Sequence, residues 1–290
     1  DGPRHAAVNV IAPLGSPADL RHLKALFAAF GLVAILMPDY SDPLDGPAWA
    51  EYQRIPPGGA PLEAIRRMGA ARATVEFDRG GAEGRTPGAF LEARFGVPRH
   101  VLPLPIGVTR TDRLLDLLEQ LSDRPAPEFL IQERGRLVDS YVDGHKYVFG
   151  KRAVVYGESG LAGGLAAFLQ EIGAAPALCA SGTGGGRLHR EIAEANLRDA
   201  AVREDVDFTE IEALAAELRP DLILGGSKGC GMSRRLGAPL VRVGFPIHDR
   251  IDGPRLLHLG YAGAQQLFDR VANALLAAAQ DASPIGYSYM

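Results

Sequence analysis

The 290-residue chain holds two cysteines and one tryptophan, and nowhere does it approach the ~18 consecutive apolar residues that a membrane-spanning helix requires. Each scarcity excludes a class of function. Cys179 and Cys230 stand far apart with no Cys-x-x-Cys pair, so they cannot build a disulfide framework or, by themselves, a zinc or iron–sulfur site. Such cysteine usage fits a reducing cytoplasm. Positive charge is not in excess: 31 Lys and Arg against 35 Asp and Glu give a net charge of −4, with no general attraction to nucleic acid or anionic lipid. Neither a nucleic acid nor a membrane is expected as a partner. The opening Asp1-Gly2-Pro3-Arg4 lacks both an initiating Met and the charged-then-apolar design of a signal peptide, and reads as the start of a piece of a longer protein.

What is present is enough apolar material, 47% of residues, for two domains. Short apolar runs alternate with amphipathic stretches, the pattern of βαβ units around a parallel sheet. Strands are predicted at 7–12, 32–37, 73–77 and 100–104, and helices at 17–30, 61–68, 87–95 and 112–121. Ser16 is placed to cap the first helix, with Pro17 in its first turn and Asp19 three residues on. The Pro-, Gly- and Asp-rich stretch 39–59 reads as a surface loop. After the break at Pro125-Ala126-Pro127, the spacing of Leu130, Ile131, Leu137, Val138, Tyr141 and Val142 predicts a long connecting helix over 128–147. Alternation then resumes with strands at 152–156, 176–180, 221–224 and 240–243, and helices at 161–172, 188–197, 208–218, 228–236 and 261–279. The expected class is α/β, with two Rossmann-like domains of parallel sheets flanked by helices. Their bounds are 1–126 and 151–290, joined by a connecting helix over 127–150.

Several motifs invite a chemical reading. Gly157, Gly160, Gly163 and Gly164 follow a strand as in a dinucleotide-binding turn, but the Gly-x-Gly-x-x-Gly spacing fails and Glu158 would repel a pyrophosphate. Close packing of the helix on the sheet is the preferred account. The Gly182-Thr183-Gly184-Gly185-Gly186 loop could cradle an anion, yet it lacks the Lys of a phosphate-binding loop and reads as a surface loop. Gly225-Gly226-Ser227-Lys228-Gly229 matches the nucleophile elbow of a serine hydrolase, with Asp249 or Asp252 and then His258 following in hydrolase order. A hydrolase using Ser227 is thus the alternative from another class, although a plain glycine turn is preferred. His145, His248 and His258 do not fall at helical metal-pair spacing. Cys179 should be a buried small hydrophobe, and Cys230 sits at a helix start beside Lys228.

One arrangement is more specific. Leu240-Val241-Arg242-Val243-Gly244-Phe245-Pro246-Ile247-His248-Asp249-Arg250, then Gly260-Tyr261-Ala262-Gly263, resembles the C-terminal portion of β-type subunits of the nitrogenase component 1 superfamily. Glu133 to Asp139, Gly150-Lys151-Arg152-Ala153, and the Pro220 to Gly229 run match in order, and the likeness covers nearly the whole chain. The resemblance implies that Gly225, Ser227, Gly229, Gly244, Phe245, Pro246, Asp249, Arg250, Gly260, Tyr261 and Gly263 form structural or interface loops rather than catalytic, cofactor-binding or metal-binding residues. It implies a missing N-terminal domain that carries the cysteines of an iron–sulfur cluster shared with a homologous α-type subunit, none being ligated by this piece. It further implies an ATP-dependent iron protein and a second copy of the αβ unit as partners, in a cytoplasmic oxidoreductase complex. α-Type relatives hold a metallocofactor through a His directly before the Gly-Tyr-x-Gly helix start and a Cys after a strand of the preceding domain. Here Leu259 takes the His position and residues 72–98 contain no Cys, which points to the β-type. The roles open within the superfamily are a reductase of dinitrogen or a methylthio compound, a scaffold for iron–molybdenum cofactor maturation, and a tetrapyrrole-reducing relative. The absence of an aromatic-rich stretch near 147–152 and the ending at Ser288-Tyr289-Met290 favour the nitrogenase-like reductase or the scaffold.

Overall fold

The computed structural model describes residues 5–12, 15–77 and 86–285; the readings placed on residues 1–4 and 288–290 lie outside them. The first half runs β1 (His5–Ile11), α1 (Pro17–Ala29), β2 (Val33–Met37), α2 (Ser41–Asp45), α3 (Leu62–Arg67), β3 (Ala71–Glu76), α4 (Pro87–Phe95), β4 (Arg99–Val101) and α5 (Val108–Ser122). Its strands are all parallel, in the order β2-β1-β3-β4. Helix α6 (Glu128–Val148) leads to the second half: β5 (Arg152–Tyr156), α7 (Ser159–Glu171), β6 (Ala175–Ser181), α8 (Arg187–Glu194), β7 (Ala201–Glu204), α9 (Phe208–Leu218), β8 (Leu222–Gly225), α10 (Cys230–Leu236), β9 (Leu240–Arg242) and α11 (Gly260–Ala282). These strands are also parallel, in the order β7-β6-β5-β8-β9.

Local chemistry accounts for the elements. At α1, Ser16 Oγ accepts from the Asp19 N–H at 2.9 Å while Asp19 Oδ2 accepts from the Ser16 N–H at 3.3 Å, a reciprocal capping box. The central strands are apolar throughout, with Val154 and Val155 fully buried, as a sheet covered on both faces requires. Several expectations need correction. The 39–59 stretch contains α2, whose first and last carbonyls are held by Arg21: Nη1 donates to the oxygens of Ser41 and Asp45, both at 3.0 Å. Strand β7 was not expected, because Ala201-Val202-Arg203-Glu204 is short and half charged, as suits an edge strand. Helix α8 ends at Glu194 rather than 197, and α10 begins at Cys230 after a 3-10 turn over Ser227–Gly229.

The two halves share one core. A single cluster of buried residues runs from Val8, Leu20 and Phe27 beneath the first sheet, through Leu118 and Leu137, to Val155, Phe168 and Phe268. Helix α11 makes this continuity by returning from the second sheet to pack against α6, α5 and α1.

Candidate functional site

In the second sheet β5 lies between β6 and β8, so the chain leaves it in opposite directions and a crevice opens beyond the C-terminal ends of β5 and β8. This is the topological switch point at which open α/β sheets bind ligands. A cavity of about 290 Å³ occupies it, bordered by Tyr156, Glu158, Phe208, Ser227, Lys228 and Phe245. The Gly-Gly-Ser-Lys-Gly turn and the Gly-Phe-Pro loop therefore meet at one place.

Packing explains the turn's glycines. A Cβ on Gly225 would lie 2.0 Å from the Tyr156 ring, and one on Gly229 would lie 2.2 Å from its hydroxyl oxygen. The ring is seated between them, its hydroxyl donating to the Gly226 carbonyl at 2.5 Å, and burial pushes the phenol well above its usual range. Ser227 Oγ accepts from the His248 backbone N–H at 2.9 Å, which ties the turn to the Gly-Phe-Pro loop. The hydrolase alternative finds no assembled triad: His258 Nδ1 is 2.8 Å from Asp19 Oδ2 rather than beside Ser227, and Asp249, next to Ser227, is paired with Arg242.

Loop 244–250 is built to a fixed shape. Gly244 has φ of 83°, where a Cβ would also sit 2.8 Å from Leu161 Cδ2, and the Phe245–Pro246 bond is cis. Phe245 stacks on Tyr40 of the first half at 6.0 Å between ring centroids. Asp249 accepts from Arg242 Nε at 2.9 Å and Nη2 at 2.6 Å, and this pairing holds its carboxyl well below the usual range. Arg250 Nη1 donates to the Asp249 carbonyl at 2.6 Å.

The start of α11 fastens the two halves together. Gly260 adopts φ of 72° with His22 of α1 against it, and a Cβ on Gly263 would fall 2.4 Å from the His258 carbonyl carbon. The Tyr261 hydroxyl donates to Asp112 Oδ1 of α5 at 2.5 Å, and Arg134 of α6 donates to the same carboxylate at 2.9 Å. Alongside, Asp19 Oδ1 accepts from the backbone N–H groups of His258 at 2.7 Å and Leu259 at 3.1 Å. Burial alone would raise the Asp19 carboxyl, but His258 and these N–H donors outweigh it and the net shift is downward. This Asp19–His258 pair, 4% and 1% exposed at the side chains, was not anticipated from the sequence. Its only local signal was the Ser16-x-x-Asp19 cap.

The helix N-termini of α5, α7 and α8 are filled by the chain's own carboxylates. Glu158 accepts from Gly160 and Leu161 at α7, so it caps the helix that it was expected to bar to a pyrophosphate. Glu204 accepts from Gly186 and Leu188, both at 2.6 Å, and closes the glycine-rich loop at α8. Glu171 accepts from Val108 and Thr109 at α5. Two glycines of α7 face α8, where a Cβ on Gly163 would meet Glu191 at 2.4 Å and one on Gly160 would meet Arg187 at 2.2 Å, while a Cβ on Gly164 would come within 3.0 Å of Ile106. Cys179 is fully buried in β6, where burial pushes its thiol up to about 12, and Cys230 is half-buried at the start of α10. Among the described residues no group of three or more His, Cys, Asp and Glu side chains could hold a metal ion.

The family described as nitrogenase component 1 type oxidoreductase matches residues 1–276. The nitrogenase molybdenum-iron protein beta chain of Clostridium pasteurianum is 32% identical over 280 residues, covering 95% of this chain and 60% of that protein. The nitrogenase vanadium-iron protein beta chain of Trichormus variabilis is also 32% identical, over 95% of this chain and 61% of its own length. Among solved structures, "Nitrogenase Cp1 at pH 6.5" superposes with a TM-score of 0.91 at 29% identity, covering 99% of this chain and 63% of that chain. The chain thus spans about three fifths of the length of these relatives.

Proposed function

The chain belongs to the nitrogenase component 1 type oxidoreductase family as a β-type member, and from that premise we propose that it supports electron delivery in a nitrogenase-like complex rather than reducing substrate itself. In this reading it pairs with a homologous α-type subunit, and an ATP-dependent iron protein docks on the pair. Electrons pass through an iron–sulfur cluster to a metallocofactor held by the partner, where a small substrate, dinitrogen or a methylthio compound, is reduced. A second copy of the αβ unit completes the assembly.

The observation that carries this reading is the equal likeness, 32%, to beta chains of molybdenum-iron and vanadium-iron proteins. A chain that itself held a metal-specific cofactor would be expected to side with one of them. Leu259 agrees: it is buried and offers no lone pair where α-type relatives have a His. The cluster, when bound, supplies low-reorganisation electron transfer. The donor set described above does not fit such a cluster, so its ligands are proposed to lie in the two fifths of β-type proteins that this chain does not span. What this chain contributes is rigidity. The Asp19–His258 and Asp112–Tyr261 ties hold α1, α5 and α11 in one body, and the switch-point loops fix the opposite edge.

Anaerobic co-expression of the protein with its α-type partner, followed by affinity purification through one subunit, tests the reading. A stoichiometric pair that reduces acetylene or dinitrogen when given an iron protein, ATP and reductant is the expected result. A pair that instead releases a bound metallocofactor to a second component without turnover would move the protein to the maturation-scaffold role. Failure to associate at all would overturn the proposal.

A further inference from the structure

The glycines around the switch-point cavity are of two kinds. Gly225 and Gly229 seat the Tyr156 ring, and Gly244 carries a positive φ. Gly157 and Gly226, which also border the cavity, have neither reason. Gly226 has φ of −74°, a conformation open to any residue, and a Cβ there would find nothing within 4 Å. A Cβ on Gly157 would make only ordinary contact with Leu161 Cδ2 at 3.8 Å. A glycine costs conformational entropy on folding, and one that its own chain neither strains nor crowds is what the close approach of a ligand to the backbone calls for. At about 290 Å³ the cavity lies near the ~300 Å³ at which small-molecule sites begin.

The lining selects the kind of molecule. The walls include the rings of Tyr156, Phe208 and Phe245, of which Tyr156 and Phe208 meet edge to face at 5.0 Å between centroids. Such walls suit a flat aromatic guest. The charged groups beside the cavity set its charge. Glu158 caps α7 and pairs with Arg187, and Asp249 of the Gly-Phe-Pro loop pairs with Arg242, so both carboxylates are already compensated. Lys228 and His248 border the cavity and are exposed, and among the described residues neither side chain takes part in a hydrogen bond or ion pair. The uncompensated charge is thus the Lys228 ammonium, with the His248 imidazole as a second polar group open to a guest.

We propose that the switch-point cavity binds a single-ring aromatic carboxylate, with its ring against Phe208 and Phe245, its carboxylate on Lys228 and His248, and its edge over the backbone of Gly226. Such a ligand touches the loop that joins the two halves, because Phe245 also stacks on Tyr40. A lysine ammonium is a point charge on a flexible stem and offers no bidentate grip on a carboxylate, so the affinity should be modest.

Isothermal titration of the 290-residue chain with benzoate tests this, with benzamide and inorganic phosphate as control ligands and Lys228→Met and Gly226→Leu as variants. Benzoate should bind the parent with a Kd below about 1 mM, a modest demand on a ligand of about nine non-hydrogen atoms. Benzamide keeps the ring and loses the charge, phosphate keeps charge and loses the ring, and each should bind at least tenfold more weakly. Lys228→Met should weaken benzoate at least tenfold, and Gly226→Leu, whose side chain enters the cavity, should abolish detectable binding. The Lys228 ammonium has no partner among the described residues and a Cβ on Gly226 meets no atom, so both variants should melt within about 2 °C of the parent. No binding to the parent at about 10 mM, tenfold above the expected limit, would overturn the proposal. So would benzoate binding that Lys228→Met leaves intact, or benzamide or phosphate binding as tightly as benzoate. None of these results bears on iron content or electron delivery, on which the functional reading stands or falls separately.

Discussion

At the residue scale, the positions that look most like chemistry are tied up in holding the fold. Ser227 accepts a backbone N–H, Asp249 is clamped by Arg242, and His258 faces Asp19, so a fluorophosphonate probe should leave Ser227 unlabelled under conditions that label a serine hydrolase fully. Asp19 is the residue on which most depends. Replacing it by Asn should cost about 3 kcal/mol, since it breaks a buried pair and leaves His258 without its charge partner. The sign of its pH dependence follows from its lowered carboxyl. The stabilisation is fully present above the unfolded value near 3.8 and is lost as pH falls through the folded value. Urea denaturation of the parent and of Asp19→Asn should show a gap that narrows as pH falls below about 4. At Gly244 the positive φ and the nearby Leu161 methyl predict a loss of about 2 kcal/mol for Gly244→Val, measured the same way. A variant as stable as the parent would mean that the loop relaxes freely.

At the element scale, what could be read from the sequence was what is encoded locally. Ser16, Pro17 and Asp19 announce α1 because a capping box spans only four residues, and the apolar run 152–156 announces β5 because it is buried on both faces. Distant partners leave no such trace. Glu171 is 63 residues from the Val108 N–H that it accepts, so no window of sequence could show that α7 supplies the cap of α5. Glu171→Ala should cost about 1–2 kcal/mol and should speed hydrogen exchange at the first amides of α5 before other helices are affected. The same holds for the motif loops. The resemblance drew attention to Gly225, Gly229, Gly244 and Tyr261, but why each is needed emerges only when Tyr156, Leu161 and Asp112 are brought beside them. Strand β7 was missed for the opposite reason: an edge strand can afford charge, and Arg203 and Glu204 hide the apolar signal.

At the scale of the whole molecule, two parallel sheets share one core, and α11 packs against elements of both halves. No helix among the described residues is long and apolar enough to cross a membrane. The helix N-termini described at α5, α7 and α8 are filled by the chain's own carboxylates, and among the described residues no group of three or more His, Cys, Asp and Glu side chains could hold a metal ion. The central claim is therefore that this part of a β-type subunit positions an electron path without ligating metal. Iron analysis with electron paramagnetic resonance on two anaerobic samples tests it most directly: the 290-residue chain after cluster reconstitution, and the complex purified with its α-type partner. The account predicts no stoichiometric iron on the chain alone and a reducible iron–sulfur signal in the complex. Stoichiometric iron on the isolated chain, or a complex free of iron, would contradict it.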